Sequence, residues 1–298
     1  MTATRLGFLG SPPVAAEVLA ALVEAGHEIA LVVSAPDRRR ARNAAPSPTA
    51  VKALAGELGI PVTDRVADVI DAGVELGVVV AFGRLVRPEV LERVPMVNLH
   101  FSLLPRWRGA APVERAILAG DEETGVCLMA LEEGLDTGPV YARATVRIGE
   151  EETAEELRAR LGALGTKLLL ERLEHGLGQP EPQVGEAIYA EKLAPGDRLL
   201  SWERPAIELA RVVRVGRAST TFRGRRLLVH RARPFPIAEG PGPSMPGVMP
   251  PGSLQGGFVA TGEGVLELLE VQAEGRGRQS FAEWAMGARP IPEERLGT

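Results

Sequence analysis

Short apolar runs alternate with amphipathic stretches of helical period through the first hundred residues, and this alternation constrains the fold more than any other feature. Residues 5–9 (RLGFL), 29–33, 60–62, 78–82 and 96–100 are short and mostly aliphatic, as strands buried on both faces are. After the first run, Gly10, Ser11, Pro12 and Pro13 open a stretch whose Val14, Val18, Leu19, Leu22 and Val23 share one helical face, and Gly26 closes it. Further helices are expected over residues 48–58 and 88–93 and from Pro112 to near Gly120. Strand and helix in alternation imply an α/β fold with a doubly wound, mostly parallel sheet. Residues 126–131 and 140–148 read as two more strands around an acidic loop, and Thr153 and Glu156 have capping-box spacing for a long helix that Gly176 ends.

That helix closes a first domain over residues 1–176. Residues 177–203 carry glycines and prolines before AIYAEKLAPGD and read as a linker. Pro205 then starts a helix with Ile207, Leu209, Val212, Val213 and Val215 that stops at Gly216. Short β-like runs follow at 225–230, 257–261 and 265–271, so residues 204–298 are expected to form a smaller β-rich domain, with residues 240–252 as a loop in it.

Ligands of doubly wound sheets bind beyond the carboxyl ends of the strands. Phe82-Gly83 and Asn98-Leu99-His100 both fall at such ends, and Asp136 sits in the glycine-flanked loop 134–138. Asn98 and His100 stand two apart, so on an extended chain they point to the same side. Each residue has a plain structural explanation: a strand-end asparagine bonding its own backbone, a satisfied core histidine, a turn aspartate. Together they supply what attack on a carbonyl carbon needs. An amide N–H donates to a developing oxyanion, an imidazole moves a proton near neutral pH, and a carboxylate orients that imidazole.

Composition limits the partners. The net charge of −5 argues against a protein that is basic all over. Arginine is concentrated locally, at Arg38, Arg39, Arg40 and Arg42, and over residues 204–233, where nine arginines stand against one acidic residue, Glu208. Such runs are commonly solvated faces, yet arginine also suits phosphates and stacked bases. Cys127, the one cysteine, lies between Val126 and Leu128 and reads as a buried strand residue. No Cys/His spacing suggests zinc, so no metal is expected. MTATRLGFLG lacks the apolar core of a signal peptide and no run approaches a membrane span, so a cytoplasmic protein without membrane contact is expected. A monomer is expected as well.

The order N-x-H at 98–100, S-L-L-P at 102–105 and L-D-T-G at 135–138 resembles the 10-formyltetrahydrofolate-dependent transformylases. The extended form SLLPRWRGAAP resembles the branch of that family that formylates methionyl-tRNA. YAEKL from residue 189, the pair Ser201-Trp202, and PGVM…GGFVATGEGVLELLEVQ…RLG resemble its later segments. The resemblance implies a formyltransferase-like variant of the Rossmann fold followed by a β-barrel-like, tRNA-binding domain. It implies 10-formyltetrahydrofolate as formyl donor, released as tetrahydrofolate, and the α-amine of initiator methionyl-tRNA as acceptor, giving formylmethionyl-tRNA for translation initiation. Asn98, His100 and Asp136 match the catalytic trio, and Ser102, Leu103, Leu104 and Pro105 the folate-binding loop. Phe82, Gly83, Leu85, Gly134 and Leu135 are expected to add backbone and apolar walls. Arg38, Arg39, Arg40 and Arg42 are expected to position the acceptor end of the tRNA, and Arg223, Arg225 and Arg226 to hold its phosphates. Phe101 stands where the family usually has a small residue, and VGRASTTFRGRRLLVHR lacks the usual proline-rich version.

Other readings share parts of the pattern. A formyltransferase acting on a small amine, or a formyltetrahydrofolate hydrolase, would use the same trio; the former would not need an arginine-rich second domain. A dinucleotide-binding dehydrogenase would carry G-x-G-x-x-G after the first strand. Here the turn is GFLGSPPVAA, and Pro12 and Pro13 lack the N–H groups that hold a pyrophosphate. A pure RNA-binding protein would have no use for the trio.

Overall fold

The structure, a computed structural model, describes residues 4–39, 45–235, 249–291 and 294–298. Contacts divide the chain into two compact units. The first holds residues 1–113, 123–147 and 157–191, and the second residues 114–122, 148–156 and 192–298.

The chain begins with β1 (Leu6–Gly10), α1 (Pro13–Glu24), β2 (Ile29–Val33), β3 (Arg38–Arg39), β4 (Pro46–Ser47), α2 (Ala50–Glu57), β5 (Val62–Thr63) and α3 (Asp68–Asp71). It continues through β6 (Leu76–Val80), α4 (Pro88–Leu91), β7 (Met96–His100), β8 (Arg108–Gly109), α5 (Pro112–Ala119), β9 (Glu123–Ala130), β10 (Val140–Arg147), α6 (Ala154–His175) and β11 (Tyr189–Ala190). A seven-stranded sheet of order β10-β9-β7-β6-β1-β2-β5 forms the first unit's centre. β5, β2, β1, β6 and β7 run parallel, whereas β9 is antiparallel to β7 and β10 to β9. The nine residues 131–139 between β9 and β10 are too few for the crossover that parallel neighbours require, so this edge reverses.

β1 and β6 are buried at every position, which is why their sequences run without a polar residue instead of alternating. Pro13 sits in the first turn of α1, where a missing N–H is tolerated, and Gly26, at φ 84°, takes the left-handed conformation just beyond its end. Thr49 caps α2 by accepting from the Lys52 N–H at 3.1 Å. The capping box before α6 is present: the Glu156 N–H donates to Thr153 Oγ1 at 3.3 Å, and the Thr153 N–H donates to Glu156 Oε2 at 2.8 Å. Residues 177–191, expected as linker, are woven into the first unit. Val140 and Glu181 exchange backbone hydrogen bonds of 2.8 and 2.9 Å, and β11 pairs with β8.

The second unit adds a 3-10 turn (Pro195–Arg198), α7 (Ala206–Arg214), β12 (Ala218–Phe222), β13 (Arg225–Phe235), β14 (Leu254–Gln255), β15 (Phe258–Ala260), β16 (Val265–Ala273), β17 (Gln279–Ser280) and α8 (Phe281–Ala288). Its sheet runs β12-β13-β16-β15-β14, with β17 also on β16. Trp202, Leu209, Val213, Phe222, Leu266 and Trp284 share its core, and Trp202 Nε1–H donates to Thr220 Oγ1 at 3.0 Å. Of these elements the 3-10 turn, β12, β14, β17 and α8 were not anticipated. The signal for α8 was the S-x-x-E at 280–283, which forms a second capping box. Residues 240–248 of the expected loop lie outside the described residues. No helix among the described residues is long and apolar enough to cross a membrane.

Candidate active site

β7 places the first two site residues. Its register sets Asn98 between Val79 of β6 and Met129 of β9, and His100 beside Cys127. Asn98 is half-buried and His100 buried. Burial pushes the Cys127 thiol up, so it is a packed thiol and not a nucleophile.

Asp136 comes to His100 from the loop between β9 and β10. His100 Nδ1 lies 3.5 Å from Asp136 Oδ2. On the other side of the ring, His100 Nε2 is 2.9 Å from the Trp107 carbonyl oxygen. A carbonyl can only accept, so this contact puts a proton on Nε2 and turns Nδ1 toward the carboxylate. Asp136 Oδ2 also accepts the Gly109 N–H at 2.7 Å. Imidazole and carboxylate are thus each anchored by backbone from residues 107–109.

Both anchors depend on unusual backbone. Asp136 and Trp107 have φ of 51° and 65°. Left-handed backbone costs a non-glycine residue of order 1 kcal/mol and persists where the surroundings over-determine it. Gly138 has no room for a side chain: an added Cβ would stand 2.0 Å from the Ala130 carbonyl oxygen. Gly134 is crowded only by the Thr137 side chain, 2.4 Å away.

The residues expected to bind folate divide into two kinds. Ser102 is fully buried and its hydroxyl donates to the Arg106 carbonyl at 2.6 Å, so it shapes the loop. Leu104 packs in a cluster with Cys127, Met129 and Val140. Leu103 and Pro105 are half-buried, and the Leu104–Pro105 peptide is cis. Phe82 is buried under the Arg84 guanidinium, 5.5 Å from its ring centre, between the left-handed residues Ala81 and Gly83. Leu85 and Leu135 are exposed.

Gln183 and Arg108 were not anticipated. Gln183 Nε2–H donates to the carbonyls of Asp136 and Gly138, both at 2.8 Å. Its Oε1 accepts from Arg108 Nε and Nη2 at 3.0 and 2.6 Å. Gln183 lies in PEPQVGEA, which has no periodicity and no motif to single it out. Among the described residues no cluster of His, Cys, Asp and Glu is placed to hold a metal ion.

The arginines are less uniform than their sequence runs. Arg38 and Arg39 are exposed in β3, while Arg40 and Arg42 lie outside the described residues. Arg223 pairs with Glu294 at 2.6 Å and donates to the Ala288 carbonyl at 3.2 Å, on the last turn of α8. Hydrogen bonds from Arg223 and from the Ile291 N–H hold the Glu294 carboxyl below its ordinary range. Arg225 stands 3.7 Å from Glu274 and Arg233 2.6 Å from Glu267, so β16 and the residue just past it supply acidic partners for β13. Arg214 donates to the Gly149 and Glu152 carbonyls at 2.9 and 2.8 Å. Arg226 is exposed.

Residues 4–173 match the formyl transferase family and residues 192–289 match the formyl transferase carboxyl-terminal domain. The methionyl-tRNA formyltransferase of Dinoroseobacter shibae is 42% identical, over 95% of this chain and 97% of its own length. That of Heliobacterium modesticaldum is 39% identical, over 98% of this chain and 100% of its own. Among solved structures, an N-formyltransferase from Helicobacter canadensis, in complex with folinic acid and dTDP-3-aminofucose, superposes with TM-score 0.67 at 15% identity, over 91% of this chain and 99% of its own. HypX from Aquifex aeolicus in complex with tetrahydrofolic acid superposes with TM-score 0.61 at 18% identity, over 95% of this chain and 47% of its own. At those identities the two structures are alike in fold alone.

Proposed function

We propose that this chain, which belongs to the formyl transferase family, transfers the formyl group of 10-formyltetrahydrofolate to the α-amine of methionine on initiator tRNA. The observation that carries the acceptor is coverage. Relatives named methionyl-tRNA formyltransferase match at about 40% identity through both units, over 95% or more of this chain. The likeness to the Helicobacter canadensis N-formyltransferase is one of fold at 15% identity.

In this reading the amine nitrogen attacks the formyl carbon. The C–N bond forms and the carbonyl oxygen becomes an oxyanion. Asn98, in β7, donates to that oxygen through its side-chain N–H. The amine's proton passes to the His100–Asp136 pair, whose imidazole is held in one orientation by the Trp107 carbonyl. Collapse breaks the bond to the folate nitrogen, which leaves with a proton as tetrahydrofolate. The folate lies along residues 102–105, with Leu103 and Pro105 facing it and Phe82, Gly83, Leu85, Gly134 and Leu135 adding walls. Ser102 and Leu104 fix the loop's shape from inside.

The tRNA contacts we assign are the run Arg38, Arg39, Arg40 and Arg42 for the acceptor end, and Arg225 and Arg226 for phosphates. Arg223, engaged by Glu294, serves the second unit's fold in the first place. The test is incubation with 10-formyltetrahydrofolate and methionyl initiator tRNA. Formylmethionyl-tRNA is expected. Formate release without RNA would identify a hydrolase, and formylation of a small amine alone would remove the tRNA acceptor.

A further inference from the structure

We infer that Gln183 is a positioning residue: with Arg108 behind it, it clamps the Leu135–Gly138 loop so that the Asp136 carboxylate stays on His100. The inference rests on the reading of Asp136 as part of the formyl-transfer site.

Gln183 is used to its full donor and acceptor capacity. Both Nε2 hydrogens go to the Asp136 and Gly138 carbonyls at 2.8 Å, which bracket the turn, and Oε1 takes two guanidinium donors of Arg108. The amide cannot rotate without breaking all four bonds, because the Arg108 side would then meet N–H groups and the loop side an oxygen. Arg108 in turn belongs to β8, whose next residue, Gly109, donates the N–H to Asp136 Oδ2 at 2.7 Å. The carboxylate and the backbone of one residue are therefore tied to the same two-residue strand, one directly and one through Gln183.

The segment carrying Gln183 is itself fixed on both sides. Glu181 pairs with Val140 of β10, the Arg108 N–H donates to the Ile188 carbonyl at 2.8 Å, and the Ala110 N–H to the Ala190 carbonyl at 2.9 Å. Gln183 is thus a bridge between two anchored strands and not a surface side chain on a tether. Such a bridge steadies Asp136, whose backbone is left-handed at φ 51°.

The experiment compares Gln183→Met, which keeps length and loses all four bonds, with Gln183→Glu, which can still accept from Arg108 but sets a carboxylate against two carbonyls. Three readouts are taken in the full chain: kcat and KM for formyl transfer, exchange of the Gly109 amide hydrogen, and Tm. Both variants are expected to lose at least about tenfold in kcat, as misplacement of a positioned group does. KM for the folate should stay within about twofold, and Gly109 exchange should rise toward the rate in Asp136→Ala. In an Asp136→Asn background the same Gln183 changes should cost little more in kcat. The inference is overturned if Gln183→Glu keeps wild-type kcat, if Gly109 exchange is unmoved, or if Gln183→Met costs the same factor with and without the Asp136 carboxylate. Failure of wild type to formylate methionyl-tRNA would instead sink the functional reading, because Gly109 exchange reports the clamp without turnover.

Discussion

Gly138→Ala should cripple turnover while its neighbour in the same loop, Gly134→Ala, does much less. A Cβ at position 138 would stand 2.0 Å from the Ala130 carbonyl oxygen and 2.9 Å from its carbon, whereas real Cβ atoms essentially never approach within 3.0 Å. Loop and strand must therefore part by about 1 Å. The obstacle is backbone of β9, paired on both sides, so the loop is what gives. That loop carries Asp136, and a displacement near 1 Å at a positioned group can cost on the order of 10²-fold in rate. Overpacking of this kind costs roughly 1–3 kcal/mol of stability, enough to lower Tm without unfolding the chain. At position 134 the crowding atoms belong to the Thr137 side chain, which can turn away. The assay is kcat for formyl transfer beside Tm and folate Kd for the two variants. A Gly138→Ala enzyme with near wild-type kcat, or equal losses in the two variants, would refute the claim that the loop's close approach sets the carboxylate.

Asn98→Ala should lose roughly 10²–10³ in kcat with Tm little changed, since a single oxyanion donor is removed; near wild-type turnover would take Asn98 out of the mechanism. His100→Ala and Asp136→Ala should be non-additive, each alone costing much of what the double variant costs, and rate losses that simply multiply would make them independent. The second unit's arginines should separate by partner. Arg226→Gln should flatten the salt dependence of tRNA affinity by somewhat under one unit of log–log slope and leave Tm alone, whereas Arg223→Gln should lower Tm. Because Glu294 is held below its ordinary range by Arg223, the stability it contributes is present above that range and is lost as pH falls through it toward the depressed value. The Tm gap between wild type and Arg223→Gln should accordingly shrink on acidification; a gap that widens would contradict the pairing.

Much of this protein was legible in its sequence because the deciding interactions are local. Continuous aliphatic runs mark strands buried on both faces, Pro12, Pro13 and Gly26 bracket the first helix, and Thr153 with Glu156 caps the sixth; each follows from residues within a turn or two of one another. The N-x-H at 98–100 is likewise local, since two residues apart on a strand share a side. What only the tertiary structure decided are pairings between distant segments. Residue types gave no hint that the Trp107 carbonyl would hold one face of His100, or that Gln183, in a stretch without pattern, would carry the Asp136 loop. The arginines of residues 204–233 looked like one basic surface, until the register of β13 against β16 set glutamates across from several of them. A side chain's type is written in the chain, but its partner is chosen by the strand laid beside it, and that choice depends on the register and direction of segments far apart in sequence.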